Sequence, residues 1–70
     1  MWSKGPQDDV ARDFMQQRGY TQEPVEIEKV DDQLCWYYIY DVPEGELEIE
    51  IYYSSDYGWD VSVSSFNLNT

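Results

Sequence analysis

The sequence contains no histidine, a single cysteine and only four basic residues. Without histidine, the chain lacks the commonest general base and the commonest metal ligand of proteins. The single Cys35 cannot close an intrachain disulfide or supply the ligands of a zinc cluster. We therefore expect a protein that is not an enzyme and that binds no cofactor and no metal.

The scarcity of basic residues is matched by an excess of acidic ones. Fifteen Asp and Glu residues give the chain a formal net charge of -11 and a sequence pI near 4.1. A chain of this charge is repelled by phosphate and cannot release the counterions that drive nucleic-acid binding. We therefore expect no direct binding to nucleic acid or to an anionic membrane, and a basic protein as the partner.

Long apolar runs are also missing. No segment reaches the roughly 18 apolar residues of a membrane span, and the first twenty residues hold no run typical of a signal peptide. However, 41% of the residues are hydrophobic and 17% are aromatic, which is more than a disordered acidic tail carries. We expect one soluble, folded domain over residues 1–70, located in the cytoplasm, which is the host bacterial cytoplasm if a phage encodes it.

The acidity is concentrated in the middle of the chain. The charges of residues 1–19 cancel, and residues 61–70 carry none. Between residues 20 and 60 there are twelve acidic residues and a single basic residue, Lys29. The net charge therefore belongs to one structural region.

The N-terminal segment is typical of a helix over residues 6–18. Pro6 suits the first helical position, and the aspartates that follow it complement the positive end of the helix dipole. Apolar residues recur along one stripe that includes Phe14, and Gly19 ends the pattern. We expect Phe14, Trp59 and Phe66 in the core.

Beyond Gly19 the apolar pattern changes from helical spacing to alternation. Alternating apolar and polar residues are typical of strands with one face in water, and the aromatic and β-branched segment 33–41 indicates a central strand. The pattern predicts an α+β fold in which one N-terminal helix packs on a four-stranded antiparallel β-meander. The strands are expected at about 25–30, 33–41, 46–53 and 59–66.

The apolar pattern also predicts which strand residues face each other. Pairing Tyr53 with Trp59 buries the apolar residues of the last two strands and leaves Tyr52 beside Asp60 on the other face. The middle hairpin has two possible registers. A three-residue loop with a glycine bulge places Trp36, Tyr38 and Tyr40 among the glutamates, whereas an even loop places Tyr37 and Ile39 there.

In either register, alternation gathers carboxylates and tyrosine on a sheet face that no helix covers. Glutamate is depleted in strands and neighbouring like charges destabilise a sheet, so this pattern indicates a binding surface for lysine and arginine. Tyrosine adds rigid contact area and cation–π contacts. The candidate partner-binding residues are Glu26, Glu28, Glu46, Glu48, Glu50, Tyr52, Asp60, Tyr38 and Tyr40.

Three functions fit such a face. The acidic sheet could imitate the charge of DNA and occupy the basic nucleic-acid-recognition surface of a protein, which blocks target DNA binding. Alternatively, the protein is an immunity protein or antitoxin that neutralises a basic toxin or nuclease. A third possibility is an acidic accessory subunit of a larger complex.

In size, in its helix-plus-meander layout and in its acidic strands VEIE and ELEIEIYY, the chain resembles the small acidic inhibitors encoded by phages, among them the anti-CRISPR proteins that act on type I Cascade complexes. The resemblance implies a non-catalytic inhibitor that binds a basic DNA-recognition surface of a CRISPR–Cas effector. It includes no diagnostic motif, so no residue role follows from it.

Overall fold

The computed structural model describes residues 5–30 and 32–68 of the chain. They form one helix, α1 (Pro6–Gln17), and four strands, β1 (Glu26–Lys29), β2 (Cys35–Val42), β3 (Gly45–Ser54) and β4 (Gly58–Leu68). The strands make one antiparallel sheet in the order β1-β2-β3-β4, which confirms the predicted α+β fold. Within these ranges, no helix is long and apolar enough to cross a membrane.

Both ends of α1 follow from the local sequence. Pro6 occupies the first turn, where its missing N–H costs no hydrogen bond, and Asp8 and Asp9 lie at the positive end of the dipole. At the other end, Gly19 adopts a φ of 87° that favours glycine. This lets the N–H of Tyr20 donate to the carbonyl of Met15 at 3.0 Å and turns the chain towards the sheet.

The loop between β2 and β3 decides the register of the middle hairpin. Val42 pairs with Gly45, so only Pro43 and Glu44 lie between the strands. Tyr40 therefore lies opposite Leu47 and Tyr38 opposite Ile49, on the side of the sheet that packs against the helix. The even-loop alternative is the observed one.

The core lies between α1 and this side of the sheet, which we call the helix side. Ala11, Phe14 and Met15 of α1 pack against buried residues of β2 and β3, which are Tyr38, Tyr40, Val42, Leu47, Ile49 and Ile51. Burying a large apolar side chain stabilises a fold by about 1.5–3 kcal/mol. Phe14 is in the core as expected and Trp59 is half-buried against it, but Phe66 is 47% exposed, so its expected burial is wrong.

A β-bulge in β4 explains where Phe66 lies. Ile49 pairs with Val63 whereas Glu48 pairs with Ser65, so Ser64 is an extra residue in β4. The extra residue shifts the alternation by one and keeps Phe66 on the helix side, opposite Leu47. Trp59 and Val61 of the same strand pack against the core, but Phe66, farther along β4, is not among the residues that do.

Candidate functional site

The side of the sheet opposite the helix carries a dense group of carboxylates. Pairing places residues of all four strands on it, and we call this surface the acidic face. Two of its acids come from β1, one from β2, three from β3 and one from β4. They are Glu26, Glu28, Asp41, Glu46, Glu48, Glu50 and Asp60.

Two rows of the acidic face share one pattern across β1, β2 and β3. Glu28 and Glu50 lie on either side of Tyr37, in direct register. In the next row, Glu26 and Glu48 lie on either side of Ile39. A half-buried strip of Tyr37 and Ile39 therefore runs along the middle strand between two lines of glutamates.

Neutral donors hold three of these carboxylates in place. Ser64 Oγ donates to Glu48 Oε2 at 3.0 Å, and the Tyr52 hydroxyl donates to Asp60 Oδ2 at 3.1 Å. Cys35 Sγ lies 3.3 Å from Glu50 Oε2 and donates to it. Because these donors carry no charge, they orient the carboxylates without neutralising them.

Neighbouring carboxylates raise the pKa of several groups on the acidic face. A hydrogen bond to Glu26, together with the charge of Glu26, raises the pKa of Glu28 above its ordinary value. The charge of Glu50 raises the pKa of Tyr37, and the hydrogen bond to Asp60 raises that of Tyr52. Both phenols therefore remain neutral beside the carboxylates at neutral pH.

Cys35 is on the acidic face but is buried, and its burial raises the pKa of the thiol, as does its hydrogen bond to Glu50. A thiol with a raised pKa is a poor nucleophile at neutral pH. Its observed contribution is the hydrogen bond to Glu50.

Lys29, the basic residue of segment 20–60, lies on the helix side of the sheet, opposite the acidic face. Lys29 pairs with Trp36, and its ammonium group lies 5.5 Å from the centre of the Trp36 ring. Trp36 packs against the core on the helix side. Among the described strand residues, the acidic face therefore contains carboxylates and neutral groups but no cation.

Most of the expected site residues come together. The expected acidic residues and Tyr52 share the acidic face, and Tyr52 pairs with Asp60 as expected. The placement of Tyr38 and Tyr40 on this face is wrong, because the two-residue loop turns both towards the helix, where they are 0% and 2% exposed. Their side chains are too deeply buried to contact a partner.

As the even-loop alternative predicts, Tyr37 and Ile39 lie on the acidic face instead of Tyr38 and Tyr40. Sequence reasoning also missed Asp41, although it alternates with Tyr37 and Ile39 and so must share their face once the loop is known.

Other acids of the middle segment lie away from the face. Glu44 is in the loop between β2 and β3, where its carboxylate accepts a hydrogen bond from the Tyr20 hydroxyl at 2.7 Å. Asp56 lies in the turn between β3 and β4. In the described ranges, no three Cys, Asp or Glu side chains come together in a way that could hold a metal ion.

The number of charges along the acidic face can be compared with that along one side of a DNA duplex of the same length. Asp60 and Asp41 mark its two ends, beside Tyr52 and Glu46 of β3. Those two β3 residues are six positions apart, which is about 20 Å. A duplex of that length carries about twelve phosphates, of which about half face any one side. The seven carboxylates thus match the charge that such a side presents.

Comparison with protein-family models, with curated proteins and with solved structures finds no match for this chain.

Proposed function

We propose that the protein is a non-catalytic inhibitor that occupies the basic nucleic-acid-recognition surface of another protein and thereby blocks its target DNA. One observation carries the proposal, namely that seven carboxylates share the face of the sheet opposite the helix, from which the nearby lysine is turned away. A surface that only needed to be soluble would carry mixed charges. CRISPR–Cas effectors of the Cascade type are the first class of partner to test.

The orientation of three carboxylates by hydrogen bonds supports this function. Its carboxylates stand on strands of one hydrogen-bonded sheet, and neutral side chains hold Glu48, Glu50 and Asp60. Charges fixed in advance lose little conformational entropy when a basic groove closes on them. Their combined field also attracts a cationic partner over a distance of about one Debye length, which is about 8 Å at physiological salt.

The experiment is a competition between the protein and DNA. A fluorescent target duplex is bound to a purified Cascade complex, and its anisotropy is followed as the protein is added. The wild-type protein should release the DNA, and its apparent affinity should fall steeply as salt is raised. Release that does not change with salt would contradict charge mimicry.

Two double variants with the same net charge test whether the acidic face is the surface that competes with DNA. Glu48→Lys combined with Glu50→Lys reverses two charges on the acidic face and should abolish competition. Asp13→Lys combined with Asp56→Lys makes the same charge change on the exposed side of α1 and in a turn, and should compete almost as well as the wild type. If both pairs weaken competition equally, only net charge matters and the proposed site is wrong.

A second candidate is an immunity protein that covers the active site of a basic toxin or nuclease. The strip of Tyr37 and Ile39 favours it, because the phosphate backbone of DNA has no apolar counterpart to imitate there. Such a protein should protect a host cell from its toxin, and Tyr37→Ala should remove this protection without changing the net charge. The same substitution should leave competition with DNA nearly unchanged if charge mimicry is the function.

A further inference from the structure

We infer that the edge strand β4 is a self-association site that pairs antiparallel with β4 of a second copy of this chain. Within the described part of the chain, β3 is its strand neighbour on one side and its other side is an edge of the sheet. An unpaired edge offers main-chain N–H and C=O groups to another strand. This inference is independent of the proposed function.

The edge is long and lacks most of the features that prevent edge-to-edge pairing. β4 has eleven residues, and its segment from Val61 to Leu68 contains no charged residue and no proline. The other edge strand, β1, has only four residues, three of them charged. The N–H of Val61 already donates to the carboxylate of Asp60 at 2.8 Å, so the available edge lies beyond Val61.

The bulge at Ser64 marks the segment that pairs. Bulges usually protect an edge, but this one also turns Phe66 and Leu68 to the helix side, in line with Val63. These three apolar side chains are 47%, 65% and 51% exposed, respectively. Val63 and Phe66 also line a groove of about 400 Å³, whose other lining residues are Val42, Leu47, Tyr20 and Arg18.

A second copy fits this edge better than another kind of partner. Each chain carries a net charge of -11, so two copies repel each other wherever acidic surfaces meet. The segment from Val61 to Leu68 is neutral, and a basic partner would be drawn to the acidic face instead. A like-charged chain can therefore pair along this segment without bringing charged side chains of the two β4 strands together.

Pairing about a two-fold axis near Phe66 makes the contact self-complementary. Opposite residues of an antiparallel pair share a face, so Phe66 of one copy packs beside Phe66 of the other on the helix side. Leu68 of each copy then lies near the bulge of the other, beside Val63. The contact closes on itself as a dimer.

The test is the mass of the purified full chain in solution, measured by analytical ultracentrifugation from about 5 to 500 µM. The mass should rise from that of the 8.3 kDa monomer towards twice that value as concentration increases. Added salt should strengthen the dimer because it screens repulsion between like-charged chains, whereas it should weaken binding to a basic partner. A mass that stays monomeric throughout overturns the inference.

A matched pair of variants locates the contact. Phe66→Thr combined with Leu68→Thr keeps strand propensity and net charge and should shift dimerisation to at least tenfold higher concentration. Leu34→Thr changes another exposed apolar residue away from β4 and should dimerise like the wild type. Amide hydrogen exchange gives a second reading, because protection of residues 64–68 should rise with concentration only in chains that dimerise. A dimer that both variants retain, or whose protection lies outside β4, overturns the assignment.

Discussion

The ammonium group of Lys29 lies 5.5 Å from the centre of the Trp36 ring, on the side of the sheet opposite the glutamates. It also donates to the main-chain carbonyls of Val30 at 3.3 Å and Gln33 at 3.0 Å. Lys29 therefore ties the chain after β1 to the start of β2. It stabilises the fold and, among the residues that the structure describes, leaves the strand residues of the acidic face without a counter-charge.

Replacing Lys29 should accordingly affect stability more than binding. Lys29→Gln removes the cation–π contact and should lower the free energy of unfolding by about 1 kcal/mol, measured by urea titration at pH 7. In the DNA-competition assay, the variant should differ from the wild type by less than about threefold, since no contact of the acidic face is lost. A large loss of competition would mean that Lys29 itself contacts the partner.

The pair of Glu26 and Glu28 predicts how stability changes in weak acid. Glu26 raises the folded-state pKa of Glu28 above its ordinary value of 4.5. The folded chain therefore binds a proton at a higher pH than the unfolded chain does, so the free energy of unfolding should increase as pH falls from 7 towards 5. Glu26→Gln should make this dependence shallower, whereas Asp13→Asn, on α1, should not. An unchanged slope in Glu26→Gln would show that the two carboxylates do not interact.

The buried tyrosines predict that the protein loses stability in alkali. Burial raises the pKa of Tyr40 from 10.0 to about 12 and raises that of Tyr38 as well. In the unfolded chain these phenols ionise first, so their contribution to stability is complete below pH 10 and is lost as pH rises towards 12. Urea unfolding at about pH 9, 10 and 11 should show this loss, and Tyr40→Phe should reduce it. The exposed Tyr57→Phe is the control and should leave the loss as in the wild type.

The sequence predicts the pairing of β3 and β4 because the two strands alternate strictly up to the bulge. It does not predict the middle hairpin, because β2 is apolar on both faces and either register buries aromatic residues. The deciding feature is the length of a loop, which moves every side chain of the strand to the other face when it changes by one residue. The choice between Tyr37 and Tyr38 as a contact residue thus depends on Pro43 and Glu44.

The burial of Asp8 is a second feature that the sequence pattern does not predict. Its place in the first turn suggests only a favourable charge at the end of the helix dipole. In the structure, its carboxylate is buried, lies 2.9 Å from the Arg12 guanidinium and accepts a long hydrogen bond of 3.4 Å from the Tyr38 hydroxyl. Asp8 precedes Ala11 and Met15 at helical spacing, which is the signal that could have placed it on the buried stripe.

Removing the Asp8 carboxylate should therefore destabilise the protein. Asp8→Ala leaves the buried Tyr38 hydroxyl without its acceptor and Arg12 without its closest partner, and should cost about 1–3 kcal/mol in urea unfolding. Adding Tyr38→Phe to this variant removes the orphaned hydroxyl and should recover part of that cost. Asp9→Ala, at an exposed position one residue away, is the control and should cost less than 1 kcal/mol. Equal costs for the two aspartates would contradict the buried contact.

Gly19 should be required for its backbone conformation and not for its small size. Its φ is 87°, and a Cβ added there would meet no atom within 4 Å, so steric contact with neighbours is not the reason for glycine. Gly19→Ala should lower the free energy of unfolding by about 1–2 kcal/mol, because an L residue is strained at this φ. A chain made by chemical synthesis with D-alanine at position 19 separates the two causes, since a D residue adopts positive φ without strain. It should be at least as stable as the wild type, because it also restricts the unfolded chain. If the D-alanine chain is destabilised as much as the L-alanine variant, the turn after α1 needs space at Gly19 and the conformational explanation is wrong.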